Sequence, residues 1–130
     1  MLLDTCTLLW LASTPRKLPG SVRRAITDNA GHLFISAITG FEIGIKHRRG
    51  ALDLPLPPAD WIARALEHHR VQEIPVEWRI AERSTSLPPL HRDPADRIII
   101  ATSLITGVSI LTPDRQISQY PDVTVVWASG

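Results

Sequence analysis

The sequence predicts an α/β protein, a three-layer α/β/α sandwich around a central, mostly parallel sheet. Short apolar runs alternate with helical stripes along the whole chain. Such alternation implies right-handed crossovers and a sheet covered on both faces. Acidic residues also stand where the apolar runs stop, and in open α/β sheets ligands collect outside the carboxyl ends of the strands.

In order, Leu2-Leu3 reads as a short buried strand and Thr7 to Ala12 as the helix after it. Pro15 and Pro19-Gly20 mark a loop, and Ser21 is the expected cap of a helix through Val22, Ala25 and Ile26 that Asn29-Ala30-Gly31 ends. Leu33-Phe34-Ile35 is a second strand, and Ser36 is placed to cap a helix running to Arg49, with Gly50 as its C′ residue. The proline-rich stretch Asp53 to Pro58 is an ordered loop. A helix follows from Asp60 to Arg70, then a strand from Val71 to Ile74 and a helix from Pro75 to Leu87. Beyond the Pro88-Pro89 break come a helix over Ala95 to Thr106 and strands at Ser109 to Leu111 and Val123 to Trp127.

The 130 residues are the length of one domain, taken as 1–130, and can bury a core without staples. A hydrophobic share of 44%, a charged share of 21% and a net charge of +1 fit a soluble globular chain and exclude a strongly basic nucleic-acid wrapper. Cys6 is the lone cysteine, which excludes an intrachain disulfide and agrees with a reducing, cytoplasmic setting. The opening Met1-Leu2-Leu3-Asp4 lacks a basic region ahead of an apolar stretch, so no signal peptide is expected. The apolar stretch Ile98 to Leu111 is too short and too interrupted to span a bilayer.

Four acids are the candidate catalytic and metal-binding residues. Asp4 follows a strand and projects at the sheet's carboxyl edge, although Asp is also a favoured helix cap. Glu42 shares its helical face with Ile38 and Ile45; its alternative role is an i,i+4 pair with Lys46, worth roughly 0.2–0.5 kcal/mol. In Asp93-Pro94-Ala95-Asp96 the first acid is a natural N-cap, Pro94 stands at N1, and Asp96 complements the helix dipole or serves a site. Asp114 follows another apolar run and is otherwise a turn residue. Convergence of all four explains them together, and such crowded carboxylates fit a hard cation, Mg²⁺ or Mn²⁺, that activates water against a phosphodiester.

Around this pocket, the hydroxyls of Thr5, Ser36 and Thr112 are candidates to bond metal-bound water, and Lys46 and Arg97 to meet a phosphate backbone. The basic run Lys46 to Arg49 is also what a helix C-terminus favours. The histidines, His32, His47, His68, His69 and His91, form no HExxH motif, so zinc hydrolysis is not expected. Cys6 reads as packing, not as a nucleophile.

Taken together, Leu2-Leu3-Asp4-Thr5, Ser36, Glu42 to Lys46, the segment from Leu90 to Ala101 with its His-Arg-Asp-Pro-x-Asp-Arg core, and Leu111-Thr112-Pro113-Asp114 resemble PIN-domain proteins of the VapC toxin type. The resemblance runs over nearly the whole chain, to Val125-Val126-Trp127. It implies that Asp4, Glu42, Asp96 and Asp114 form the Mg²⁺/Mn²⁺ pocket of an endoribonuclease, and that the protein dimerises. It also implies a cognate VapB-type antitoxin that fills a groove near the active site and carries the contact with operator DNA. This chain departs from relatives in having Cys6 where histidine is frequent, Ala95 in place of an aromatic and Pro113 in place of arginine; none removes a carboxylate. Asp93 is a candidate for the outer shell of the site. Two rivals are a receiver-type signalling domain, which needs a lysine after its last strands where this chain has only Lys17 and Lys46, and a non-catalytic PIN-like binding module, expected to have lost some of the acids.

Overall fold

A computed structural model describes residues 1–128. Strands β1 (Leu2–Leu3), β2 (Leu33–Ser36), β3 (Val71–Ile74), β4 (Ile110–Thr112) and β5 (Val125–Trp127) form one sheet in the order β3-β2-β1-β4-β5, every pairing parallel. Its helices are α1 (Thr5–Ser13), α2 (Gly20–Asp28), α3 (Ile38–Arg48), α4 (Pro58–His69), α5 (Trp78–Thr85), α6 (Pro94–Thr106) and the short α7 (Arg115–Ser118), with a 3₁₀ turn at Pro15–Lys17.

The central strand β1 is only two residues long, yet both are fully buried because successive side chains serve opposite faces. Leu3, Ile35 and Leu111 sit in register and pack on one face with Leu8, Val22, Ile43 and Trp61. Leu2 and Ile110, also in register, pack on the other with Ile99, Ile100, Ile117 and Tyr120. Two apolar layers on a parallel sheet give the expected three-layer sandwich.

Several boundaries differ from expectation for local reasons. Helix α2 begins at Gly20 after Pro19, with no side-chain cap, so Ser21 lies inside it and does not cap it. Helix α4 starts at Pro58, where a missing N–H and a preset φ cost nothing in the first turn. Helix α5 is shorter than Pro75 to Leu87, beginning only after Glu77. Helix α7 was not expected; Asp114 caps it by accepting from the Gln116 amide at 2.8 Å, and buried Ile117 anchors it. Gly50 and Gly107 follow α3 and α6 with φ of +74° and +77°, the left-handed conformation that ends a helix most cheaply at glycine.

Because Leu3 is completely buried between β2 and β4, Leu3→Ala should lower stability by ~2–5 kcal/mol in urea unfolding. A loss under about 1 kcal/mol would show that this strand is not the centre of the core.

Candidate active site

Strand order reverses between β1 and β4: from β1 the chain winds outward through β2 to β3, then crosses back to β4 and β5. Ligands of open α/β sheets bind at such a switch point, outside the strands' carboxyl ends. Asp4 directly follows β1 and Asp114 lies two residues beyond β4, while α3 and α6 bring in Glu42 and Asp96. All four line one pocket of about 270 Å³, together with Asp93, Lys46, Thr5 and Cys6. The structure therefore brings the four predicted acids together.

Asp4 is 5% exposed. Its Oδ1 accepts from the Thr7 amide at 2.9 Å and the Thr7 hydroxyl at 2.6 Å, and its Oδ2 accepts from Thr112 Oγ1 at 2.5 Å. Asp4 thus caps α1 and still lines the pocket. An ionised carboxylate has about four acceptor sites, so one on Oδ2 is left for a cation. On α3, Glu42 Oε1 accepts from Thr5 Oγ1 at 2.5 Å, and the Thr5 hydroxyl is in turn 3.0 Å from Thr39 Oγ1. Glu42 Oε2 lies 3.6 Å from Lys46 Nζ, so the helical pair also exists.

Asp93 caps α6 by accepting from the Ala95 amide at 2.9 Å, which leaves Asp96 in the first turn facing the pocket. Sequence reasoning passed over the neighbour of Asp96. His91 Nε2 is 3.2 Å from Asp96 Oδ2 and 2.9 Å from Asp114 Oδ2, and the three ligating atoms all lie within 4.8 Å of one another. The available signal was position: His91 opens the segment that carries both Asp93 and Asp96.

The pocket's electrostatics follow from burial first and from crowding second. Burial raises the Asp4 pKa above the ordinary carboxylate range against the hydrogen bonds from Thr112 and Thr7, and the charge on Asp114 raises it further. Asp96 is pushed up to about 7, first by burial, then by the charges of Asp93 and Glu42; His91 opposes the rise and Asp4 adds to it. Burial and Asp4 also push the Cys6 thiol up to about 11, so it stays protonated and is no nucleophile. Hard oxygen donors with excess negative charge are the donor set that suits Mg²⁺ or Mn²⁺.

The structure also places the residues expected to meet substrate or metal-bound water. Arg97 does not face the carboxylates: its guanidinium donates to the carbonyls of Ser84, Leu87, Pro88 and His91 at 2.8–3.2 Å, anchoring the loop between α5 and α6. Ser36 is completely buried and accepts from the Ile38 amide at 3.1 Å, so it helps start α3 and cannot reach substrate or a metal-bound water. Thr5 and Thr112, 3% and 0% exposed, donate to the carboxylates of Glu42 and Asp4. Thr112 additionally accepts from the Asp114 amide at 3.0 Å. Lys46 is half exposed on the pocket rim and keeps its place as a candidate for phosphate contact.

A parallel 3-2-1-4-5 sheet with carboxylates gathered at its switch point agrees with the match of the PIN domain family over residues 1–123, and the chain belongs to that family. It is 29% identical to ribonuclease VapC22 of Mycobacterium tuberculosis, an alignment covering 98% of each chain. Among solved structures it is similar in fold to DNA-bound VapBC from Salmonella typhimurium, with a TM-score of 0.70 and 18% identity over 96% of this chain and 95% of that one. It is also similar to VapBC2 from Rickettsia felis bound to a promoter DNA fragment, with a TM-score of 0.72 and 13% identity over 96% of each chain.

The raised Asp96 pKa fixes a pH dependence. A carboxyl that titrates higher folded than unfolded binds more protons in the folded state between the ordinary carboxylate range and about 7, so metal-free stability falls as pH rises through that window. Thermal melting of metal-free protein should therefore rise on acidification from about pH 8 to about pH 5, and Asp96→Asn should reduce that slope, leaving the part that the raised Asp4 carries. A wild-type slope unchanged in Asp96→Asn would mean that another group carries it.

Proposed function

We propose that this chain is a Mg²⁺- or Mn²⁺-dependent endoribonuclease, the toxin of a type II toxin–antitoxin pair. The observation that carries the reading is the convergence of Asp4, Glu42, Asp96 and Asp114 on one pocket at the sheet's switch point, with Lys46 as the ammonium on its lining. The ribonuclease name of a relative aligned over 98% of the chain supports the substrate class.

In this reading Asp4, after β1, and Asp96, on α6, would hold the cation, and Glu42 from α3 and Asp114 from the loop after β4 would complete the oxygen donors. When bound, that cation supplies water activated for attack on the phosphodiester and offsets the charge that develops there. Thr112 and Thr7 fix the Asp4 carboxylate, and Thr5 fixes that of Glu42, so each acid is oriented before any ligand arrives. Lys46 draws the substrate phosphate towards the pocket, and Arg48 and Arg49 extend the basic end of α3 beyond it.

A groove of about 460 Å³ with Ile38, Phe41, Ile45 and Ile98 along it adjoins the acidic pocket through Glu42, Lys46 and Asp93. Its apolar length and charged end suit a small VapB-type antitoxin, and two solved relatives in fold are VapBC complexes bound to DNA. Homodimerisation, contact with operator DNA only through the antitoxin, and action in the cytoplasm belong to the same proposal. Among the described residues no helix is long and apolar enough to cross a membrane. A receiver-type domain is not favoured, because its sheet order is 2-1-3-4-5 and not 3-2-1-4-5. A binding module that has lost its chemistry is not favoured either, because every acid is in place.

Purified protein should cleave single-stranded RNA with Mg²⁺ or Mn²⁺ and stop when a chelator is added. Asp4→Asn and Asp96→Asn should each lose at least about a hundredfold in rate, whereas Asp93→Asn, still able to cap α6, should fold and keep most activity. Cleavage that survives exhaustive chelation, or that is undiminished in Asp4→Asn, contradicts the proposal.

A further inference from the structure

We infer that His91 is a positioning residue of the carboxylate site: its Nε2–H holds the Asp114 carboxylate in place beside that of Asp96, and the imidazole does not itself ligate the metal. This inference rests on the metal-site reading above. It starts from the tautomer. The Asp93 amide donates to His91 Nδ1 at 3.1 Å, so Nδ1 presents a lone pair and the ring proton sits on Nε2. That N–H hydrogen-bonds Asp114 Oδ2, with Nε2 at 2.9 Å, and Asp96 Oδ2 lies 3.2 Å from the same nitrogen.

The ring is 7% exposed and its backbone is held at both ends. The His91 amide donates to Tyr120 Oη at 3.0 Å, whose hydroxyl donates to the Pro88 carbonyl at 2.7 Å, and the His91 carbonyl accepts from Arg97 Nη1 at 3.1 Å. The anchoring that removes Arg97 from substrate contact thus holds His91 against the site. Asp114 is fixed from both oxygens, Oδ1 by the Gln116 amide and Oδ2 by the imidazole. Without this donor, Asp96 on α6 and Asp114 before α7 would only repel one another.

The three converging atoms also resemble a chelate. The Asp93 amide separates the two roles. For Nε2 to ligate, the ring proton would have to move to Nδ1, where it would meet the Asp93 N–H donor to donor, and a partly buried hydrogen bond would be lost. Second partners of this kind typically change metal affinity 10–100-fold when removed.

The test compares wild type, His91→Leu and His91→Gln, the last restoring an N–H donor at the end of the side chain. Imidazole ¹⁵N NMR of metal-free wild type should show His91 protonated at Nε2 and bare at Nδ1, and saturation with diamagnetic Mg²⁺ should leave that proton in place. Calorimetric titration with Mn²⁺ should give at least about tenfold weaker binding for His91→Leu, with most of the affinity recovered in His91→Gln. The inference is overturned by a proton on Nδ1, by loss of the Nε2 proton on Mg²⁺ binding, or by a His91→Leu that binds Mn²⁺ as tightly as wild type. If His91→Leu does not fold, the wild-type spectra decide. A wild type that binds no Mn²⁺ removes the metal-site reading instead, and the metal-free spectrum still decides the tautomer.

Discussion

Asp4 places a carboxylate at 5% exposure on the end of the central strand, with Asp96 and Asp114 close by, and the rest of the site accommodates that cost. Buried carboxylates either protonate or find partners. Here the partners are donated by the fold: Thr7 and Thr112 for Asp4, Thr5 for Glu42, and His91 for Asp114, with Asp96 3.2 Å from the same imidazole nitrogen. They orient the oxygens without cancelling their charge. What remains is a pocket of oriented carboxylates in which burial and mutual charge raise the pKa values of Asp4 and Asp96.

That preorganisation links the site to the core. Thr112 closes β4 and Asp4 closes β1, so the hydrogen bond between them joins the two strands flanking the switch point. Thr7 adds a second tie: its hydroxyl also reaches the Leu111 carbonyl at 3.0 Å. On the opposite side, Arg97 and Tyr120 hold the Pro88–His91 backbone, and through it the imidazole. Packing of β1 beside β4 therefore helps to fix where the Asp4 carboxylate points.

The architecture and the four acids were legible in the sequence because both leave local marks: strands as short apolar runs, and acids at the ends of those runs. Asp93 was legible as a cap because Asp-Pro at a helix start has a single backbone logic. Arg97 was not, since adjacency to Asp96 in sequence says nothing about direction on a helix; successive residues diverge by about 100°. Ser36 was legible as a cap, but its burial and that of Thr112 were not, because a strand's terminal residues are covered only once the helices that follow pack over them. His91 was passed over because its partners include Asp114, 23 residues on, a pairing that only the crossover from α6 to β4 creates.

Crystals grown with Mn²⁺ offer the most direct measurement, because anomalous scattering locates that ion without reference to activity. The carboxylate site predicts an anomalous peak within coordinating distance of oxygens from Asp4 and Asp96, with His91 outside the ligand set. Strong anomalous density elsewhere on the protein with none between these acids, in crystals whose pocket is open to solvent, would contradict it.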